Sequence, residues 1–288
     1  MYDLTVPLIF GSSRCLFVMS ETVTIAPIWK YTLDESPDKS LTDIHIVIWP
    51  GGLAIAGFDA EATPVWAETY LTREQPGAVW LQQLLTQQTT LKSHAKKVRR
   101  IWLSEERNLL IPNSLYDNDY ADSWIRKFHY LEPEEMLLHF DLPDSASAKI
   151  VFPVSESLKL ALNDHFPNAG FLPLSQMVFP AVNQTANETI RMVSLPREII
   201  FSLNHNGHYI FHLTFPYDTP QNVIYKLALV LEEKGLSQEQ ITDFSITGIA
   251  PFWNNILEDL AQFFPVKTTG ENTTDITLNF LKTLYSCA

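Results

Sequence analysis

Glycine is scarce in this sequence, with 10 residues among 288, whereas proline contributes 18. Chain reversals therefore depend on proline-restricted loops more than on flexible glycine hinges. This composition argues against a glycine-rich phosphate cradle, in which backbone N–H groups must approach a phosphate closely. A Gly-x-Ser-x-Gly sequence is also missing, which removes the usual signature of an α/β-hydrolase nucleophile.

Cysteine is nearly absent. Cys15 and Cys287 lie near opposite ends of the chain, and neither has a second cysteine or a histidine at the spacing of a metal site or a redox pair. Both are interpreted as unpaired thiols, which are typical of a reducing compartment. The sequence therefore predicts a cytoplasmic protein.

Long apolar runs are missing as well, because no stretch of about 18 continuous apolar residues occurs. The first 18 residues include apolar ones, but Asp3 stands where a signal peptide is basic, and Arg14 interrupts the apolar stretch. We therefore expect residues 1–18 to be an extension outside the fold, with Met19 as the true start. A start at Met1 stays open as the alternative.

Basic residues are outnumbered, at 20 against 33 acidic residues, which gives a formal charge of −13. Such a charge disfavours a general role in binding nucleic acid or an anionic membrane, since the long-range field repels polyanions. One basic cluster exists, and it comprises Lys92, Lys96, Lys97, Arg99 and Arg100. It is a candidate patch for RNA or an acidic partner, although cations at a helix end and on a solvated strand face are the simpler explanation.

A β-hairpin followed by a helix is the pattern that organises the first half of the chain. Strands are predicted at 43–48 and 53–58, on either side of the tight turn Pro50-Gly51-Gly52. A third strand is predicted at 64–70, and apolar residues recur at helical spacing after Pro76. The predicted order is therefore β-β-β-α.

The second half repeats this pattern. Strands at 198–203 and 209–215 flank Asn206-Gly207, a dipeptide that favours the positive φ angles of a hairpin turn. The helix that follows has Thr219 as its predicted N-cap and Pro220 at its first position. The same hairpin-first unit is therefore predicted twice.

Two hairpin-first units predict an α/β protein of two related lobes, and they argue against the β-α-β alternation of a doubly wound fold. We place the lobes at residues 19–190 and 191–288, the second being the smaller. With 46% hydrophobic residues, the chain has enough apolar material for both cores.

Five short segments carry a resemblance to a known family, and in order they are Lys30–Ser36, the hairpin at Gly51-Gly52, Leu110–Tyr116, Ile150–Pro153, and Asn206-Gly207 with the Thr219-Pro220 helix. Over roughly residues 28–250 the chain resembles an uncharacterised bacterial domain-of-unknown-function family, whose structural representative has an actin-like ATPase fold without an identified active site. More distantly, Val151–Val154 and Asn168–Phe171 resemble the pilus-assembly and cell-division actin-like proteins. The resemblance implies two ribonuclease-H-like lobes of the sugar kinase, heat-shock and actin superfamily, each opening with a β-hairpin.

The resemblance also implies where a nucleotide would bind, because actin-like ATPases hold it between the lobes with the turn of each lobe's first hairpin. It assigns these turns to Trp49–Leu53 and Asn204–His208. Pro50 removes an N–H donor, Trp49 is bulky, and neither turn has an acidic or hydroxyl side chain. The paired glycine that cradles adenosine is reduced to Gly248. We therefore expect a non-catalytic scaffold or protein-interaction module, with no catalytic residue and no cofactor; ATP with magnesium is disfavoured.

The alternative is an actin-like ATPase or switch that binds a nucleotide or another small ligand at a non-standard site between the lobes. Its backbone contacts would come from the turns, namely from Gly51, Gly52, Asn206, Gly207 and Gly248. Under the leading hypothesis the partner is a protein, whose identity the sequence does not indicate.

His205, His208 and His212 form a histidine cluster in the second half. His208 and His212 are predicted to share a strand face, because side chains alternate with period two, and such a pair suits a transition metal. No cysteine is near in sequence, and Asp218 is the only nearby carboxylate. We therefore interpret these histidines as packing or hydrogen-bonding residues and expect no metal.

Overall fold

The computed structural model describes residues 25–33, 40–72, 76–143, 146–179, 188–205, 208–249 and 254–287. The predicted extension at 1–18 with Cys15, the Asn206-Gly207 turn and Ala250 lie outside the described residues.

The described residues form strands and helices in alternating groups. In chain order the strands are β1 (Trp29–Thr32), β2 (Asp43–Trp49), β3 (Gly52–Phe58), β4 (Pro64–Leu71), β5 (Val98–Leu103), β6 (Leu109–Pro112), β7 (Glu135–Asp141), β8 (Ala148–Ser155), β9 (Gly170–Pro173), β10 (Glu188–Leu195), β11 (Glu198–His205), β12 (His208–Pro216), β13 (Ile241–Gly248) and β14 (Val266–Thr268). The α-helices are α1 (Ala78–Gln87), α2 (Thr89–Ser93), α3 (Asn118–Ile125), α4 (Glu156–His165), α5 (Pro220–Glu233), α6 (Asn254–Ala261) and α7 (Thr273–Ser286).

Six strands build the first sheet, in the order β1-β4-β3-β2-β5-β9. β2, β3 and β4 are antiparallel neighbours, whereas β5 runs parallel to β2, and β9 parallel to β5. β2 and β3 are near-continuous apolar runs and are buried over almost their whole length, as expected of strands that are covered on both faces. Helices α1, α4 and α7 contribute apolar side chains to the same core.

Five strands build the second sheet, in the order β12-β11-β10-β13-β14. Its first three strands are antiparallel, and β13 and β14 continue it in parallel. When β1 is left aside, the strands of each sheet can be numbered from one to five along the chain. Across both sheets their order is then 3-2-1-4-5. The duplicated hairpin-first architecture predicted from the sequence is confirmed.

The predicted start of the second unit was one strand late. β10 and β11 are antiparallel, and the pair nearest their connection is Leu195 and Glu198. The first hairpin of this sheet therefore turns at Pro196 and Arg197. The hairpin of β11 and β12 is present, but it is the second one. The missed turn has no glycine or asparagine signal, because its positive φ of 67° belongs to Arg197. The lobe boundary at residue 190 stays a prediction, and β10 begins at Glu188.

A small third sheet lies in the chain between β5 and α4. Its strands pair antiparallel in the order β6-β8-β7, and α3 connects β6 to β7. Its own buried cluster consists of Ile111, Ala121, Ile125, Leu131 and Val151. We call these elements, residues 109–155, the small subdomain.

The second sheet has a buried cluster of its own against α5 and α6, but it also shares a core with the first sheet. The main cluster of buried residues includes Val193, Leu195 and Ile200 from the second sheet together with the strands of the first. Helix α7 follows β14 in the chain, yet its Phe280 and Leu284 belong to the same cluster. The junction between the two sheets is therefore itself a buried apolar core.

Candidate functional site

The opening turns of the two sheets contact each other directly. The indole Nε1 of Trp49 donates a hydrogen bond to the carbonyl oxygen of Pro196 at 3.1 Å. A Cβ added at Gly51 would lie 2.9 Å from the same oxygen, a distance that real Cβ atoms do not show. Glycine at position 51 therefore allows the two turns to pack together.

Trp49 also fills the space beside its own turn. Its side chain is 1% exposed, and a Cβ at Gly52 would lie 2.8 Å from Cζ2 of the indole and 2.2 Å from the carbonyl oxygen of Tyr70. Gly52 is thus required by close packing against the ring and against β4. Sequence reasoning identified the bulk of Trp49 but not its contact with the other sheet.

Gly248 lies where β13 ends against β10. Its φ is +134°, and an added Cβ would lie 2.0 Å from the carbonyl oxygen of Ser194. The next residue, Ile249, donates its backbone N–H to that oxygen at 3.0 Å. The structure therefore places Gly248 in a backbone-to-backbone contact at the same edge of the second sheet as the Pro196 turn.

The prediction that the Asn204–His208 turn lies opposite the Trp49 turn was wrong. β11 begins at Glu198, beside the Pro196 turn, and ends at His205. A strand of this length extends over roughly 25 Å, so His205 and its partner His208 lie at the far end of β11. The turn that faces Trp49 is the one at Pro196.

Buried polar side chains cross the junction next to these turns. Ser175, in the helical turn after β9, donates to Glu105 through its backbone N–H at 3.1 Å and through its Oγ at 3.0 Å. The same Oγ lies 2.9 Å from Nε2 of His212 on β12. Ser104 donates to Glu198 at the start of β11. Residues of both sheets therefore take part in two neighbouring groups of hydrogen bonds, which we together call the junction network.

The two carboxyl groups of the junction network are 2% exposed. Burial raises the pKa of Glu105 to about 8, although the hydrogen bonds from Ser175 partly oppose this. Burial also raises the pKa of Glu198 to about 8, against the bond from Ser104 and with the negative charges of Glu105 and Glu106. At neutral pH both carboxyl groups are therefore largely protonated.

The sequence analysis did not single out Glu105 or Glu198. A usable signal is close to each of them: Glu105 comes two residues after the buried strand β5, at its carboxyl end, and Glu198 directly follows the unrecognised turn. In open α/β sheets, side chains at the carboxyl ends of strands tend to line functional clefts.

The three histidines do not come together. His212 stacks on Phe179 with ring centroids 5.2 Å apart, and burial lowers its pKa to about 3, so the ring is neutral. His205 lies 2.9 Å from Glu188, and His208 is exposed. The pairing of β11 with β12 shifts register next to Asn204. This shift interrupts the regular alternation of side chains on which the predicted shared face of His208 and His212 depended. Within the described residues, no three potential metal ligands cluster.

The basic cluster occupies the helix end and the strand start, as predicted. Lys92 is in the last turn of α2, and Lys97 donates from Nζ to the carbonyl oxygen of Leu41 at 2.6 Å. Arg99 pairs with Asp43 at 3.0 Å. Lys92 and Lys96 are exposed, whereas the two arginines are the second and third residues of β5.

Comparison with known proteins identifies the fold. A family model described as a protein of unknown function, DUF3822, matches residues 30–266. Comparison with curated proteins gives no match. Among solved structures, the chain is similar to a protein from Bacteroides thetaiotaomicron with an actin-like ATPase fold and unknown function, at 17% identity and a TM-score of 0.65, over 85% of this chain and 97% of that one. This likeness shows the actin-like ATPase fold with its two lobes, and it confirms the predicted resemblance.

Two further structures are similar at lower TM-scores. One is the cytoplasmic domain of EpsL, an inner membrane component of the type II secretion system of Vibrio cholerae, with 11% identity, a TM-score of 0.49 and coverage of 85% of this chain and 94% of that one. The other is from the PilM-PilN type IV pilus biogenesis complex, with 10% identity, a TM-score of 0.47 and coverage of 79% and 87%. In the part of this chain that the structure describes, no helix is both long and apolar enough to cross a bilayer.

Proposed function

We propose, from the premise that this chain belongs to the DUF3822 family of proteins of unknown function, that it is a non-catalytic actin-like scaffold or protein-interaction module. The position of Trp49 supports this proposal most directly. Its buried indole packs against Gly52 and bonds to Pro196. Protein atoms therefore fill the space between the two opening turns.

A nucleotide between these turns would need room for its phosphates and N–H donors that face them. Here a carbonyl oxygen, that of Pro196, faces Gly51 at a distance that excludes even a methyl group. A carbonyl oxygen carries partial negative charge, so it opposes a phosphate at this position. The acidic side chains of Glu105 and Glu198 are buried next to the same junction, which adds to the unfavourable electrostatics whenever they ionise.

Nucleotide titration tests the non-catalytic proposal. We expect the protein to bind ATP, ADP and GTP, each with magnesium, more weakly than about 0.1 mM. A Kd of 0.1 mM would raise the free energy of unfolding by about 1.4 kcal/mol at 1 mM nucleotide, a change that both thermal shift and calorimetry detect. Tighter binding that maps to the Trp49 and Pro196 turns would favour the alternative of a nucleotide-dependent or ligand-dependent switch.

The small subdomain presents the clearest surface for a protein partner. Tyr120, Trp124 and Phe128 follow one another at intervals of four residues along α3 and the turn after it, and they are 61%, 37% and 67% exposed. Residues four apart lie on one face of a helix. Tyr130 continues the exposed aromatic surface. We call these four residues the aromatic row. Exposed aromatic groups that are contiguous are typical of contact surfaces.

Acidic residues are frequent in the segment of sequence that contains the aromatic row, which indicates the chemistry of its partner. The exposed acidic residues near it are Asp117, Asp119, Asp122, Glu132 and Glu134. Arg126 and Lys127 are the basic residues in the same stretch, and Arg126 is paired with Asp122 at 2.9 Å. The surface fits an apolar segment that is flanked by lysine or arginine, because opposite charges at the rim orient and favour association.

The aromatic row is tested with a paired substitution. We expect Tyr120→Ser with Phe128→Ser to abolish capture of the partner from the native cell, while the free energy of unfolding changes by less than about 1 kcal/mol because both side chains are exposed. The matched control is Tyr225→Ser on α5, which is also exposed but lies on the second sheet's side. Capture that is equal for the double variant and the control would contradict this assignment.

A cytoplasmic location and a bacterial source belong to the same proposal. They are supported by the resemblance and by the two cysteines without metal or redox spacing. Nucleic acid is disfavoured as a partner by the formal charge of −13.

A further inference from the structure

A small polar pocket lies at the amino-terminal ends of β2 and β5, away from the junction of the two sheets. Its volume is about 260 Å³, and it is lined by Asp43, His45, Arg99, Arg100 and Tyr285. Trp49 is at the opposite end of β2, four residues beyond His45, which corresponds to about 13 Å along a strand. The pocket is therefore distinct from the site between the opening turns.

An irregularity in strand pairing directs two consecutive arginines into this pocket. Ile44 is opposite Val98 and His45 is opposite Arg100, so Arg99 is the extra residue of a β-bulge. Consecutive residues of a regular strand point to opposite faces, and bulges commonly re-aim a side chain beside a functional site. Both arginines line the same pocket.

Two buried nitrogen atoms belong to residues that line the pocket and have unmet hydrogen-bonding capacity. His45 is 3% exposed, and among the described residues neither its Nδ1 nor the buried Nε of Arg100 has a hydrogen-bond partner. Buried polar groups of proteins are nearly always paired, with protein, water or a ligand. Nε of Arg100 can only donate, so any group that pairs with it is an acceptor.

The charge of the pocket selects an anion. Arg99 is engaged by Asp43, whereas no ion pair of Arg100 is found in the described part of the chain. Burial, and then the positive charge of Arg100, lowers the pKa of His45 to about 4, so its ring is neutral at pH 7. The lining therefore carries one uncompensated positive charge. Arginine presents donors in a fork that matches the oxygens of a carboxylate or a phosphate.

Tyr285 forms the remaining wall and links the pocket to α7. Its ring stacks on His45, with centroids 5.4 Å apart and planes 12° apart. The pocket is smaller than the roughly 300–1,000 Å³ of typical sites for drug-sized ligands. Its size suits one phosphate or carboxylate group with a few further atoms rather than a nucleotide.

We propose that this pocket is a binding site for a small oxyanion, namely the phosphate or carboxylate group of a small molecule, with Arg100 as its main contact and His45 and Tyr285 as polar neighbours. The proposal is independent of the non-catalytic role, because the pocket lies at the other end of β2 and does not involve the turns. It also gives the Arg99-Arg100 end of the basic cluster a role other than contact with nucleic acid.

Isothermal titration calorimetry tests the site, with inorganic phosphate, a sugar phosphate and succinate as separate probes, and with chloride at equal ionic strength as the reference. We expect at least one of the three oxyanions to bind wild-type protein. Arg100→Gln should weaken that binding at least tenfold, while the matched control Arg126→Gln, at the C-cap of α3, should leave it unchanged. The order of the three affinities distinguishes free phosphate, a phosphate ester and a carboxylate as the source of the group.

Wild-type protein provides a second measurement that does not depend on how Arg100→Gln folds. The NMR signals of the His45 ring and of Arg100 Nε should move on titration with the bound oxyanion, while those of His165 stay in place. Absence of binding by all three oxyanions would overturn the proposal. It would also be overturned by equal loss of binding in Arg100→Gln and Arg126→Gln, or by signal changes that do not include His45 and Arg100.

Discussion

Trp49→Ala is expected to lower the free energy of unfolding by about 3–5 kcal/mol, the range for a large aromatic side chain removed from a packed core. The indole is fully buried where the two opening turns meet. Its removal leaves a cavity and also leaves the carbonyl oxygen of Pro196 without its donor, Trp49 Nε1. Urea unfolding followed by circular dichroism measures the change, since the substitution alters tryptophan fluorescence itself.

Two further substitutions separate packing from hydrogen bonding at this position. Trp49→Phe keeps most of the ring but removes Nε1. It should therefore lower the free energy of unfolding by less than Trp49→Ala does. The remaining loss should be about 1–3 kcal/mol, which is the cost of leaving the carbonyl oxygen of Pro196 unpaired. Trp124→Ala removes a tryptophan that is partly exposed on α3 and should cost about 1 kcal/mol or less. If Trp49→Ala were tolerated as well as Trp124→Ala, the indole could not be what holds the two turns together.

The parts of the fold that were predicted correctly have a local cause in the sequence. The Pro50-Gly51-Gly52 turn between two apolar runs identified β2 and β3, and Thr219 with Pro220 identified the start of α5. Each of these signals lies within a few residues of the element that it specifies. The same local rules failed at β10, because Arg197 occupies the positive-φ position where such rules look for glycine or asparagine.

The candidate site could be predicted only in part, because its contacts join distant parts of the chain. Trp49 and Pro196 are 147 residues apart, and Ser104 and Glu198 are 94 residues apart. No local period or turn signal encodes which strand ends face each other. That depends on the strand order of both sheets, and one missed strand moved the predicted second turn to the wrong end of β11. The bulk of Trp49 was recognised, but its partner was not.

The buried carboxyl groups of the junction network should make stability depend on pH. Both Glu105 and Glu198 have a folded-state pKa of about 8, raised from an ordinary value of 4.5. The folded state therefore binds more protons than the unfolded state between these two values, and the free energy of unfolding falls as pH rises through this window. Each carboxyl group contributes a slope of at most about 1.4 kcal/mol per pH unit.

The range from pH 7 to pH 9 isolates this effect. Burial lowers the pKa of His45 and of His212 to about 4 and about 3, so these rings oppose folding only as pH falls below their ordinary value of 6.5. Above pH 7 they are neutral in both states and contribute no slope. We expect the free energy of unfolding, measured by urea denaturation, to fall from pH 7 to about pH 8 and then to level off.

Glutamine at both positions should remove this pH dependence, because the amide keeps a hydrogen-bond acceptor for Ser104 or Ser175 but cannot ionise. Glu105→Gln with Glu198→Gln should therefore be more stable than wild type at pH 9, by an amount on the order of a few kcal/mol. The exposed Glu233→Gln on α5 is the matched control and should keep the wild-type slope. A slope between pH 7 and pH 8 that is the same in all three proteins would contradict the assignment.

The single variants test whether the two carboxyl groups interact. The negative charge of Glu105 is one cause of the raised pKa of Glu198, so Glu105→Gln should move the remaining pH dependence towards lower pH. Two groups that do not interact would instead give single-variant effects that add up to the effect of the double variant. Both carboxyl groups ionise in wild type at pH 9. A deviation from additivity at this pH therefore measures the electrostatic repulsion between Glu105 and Glu198 at the junction between the lobes.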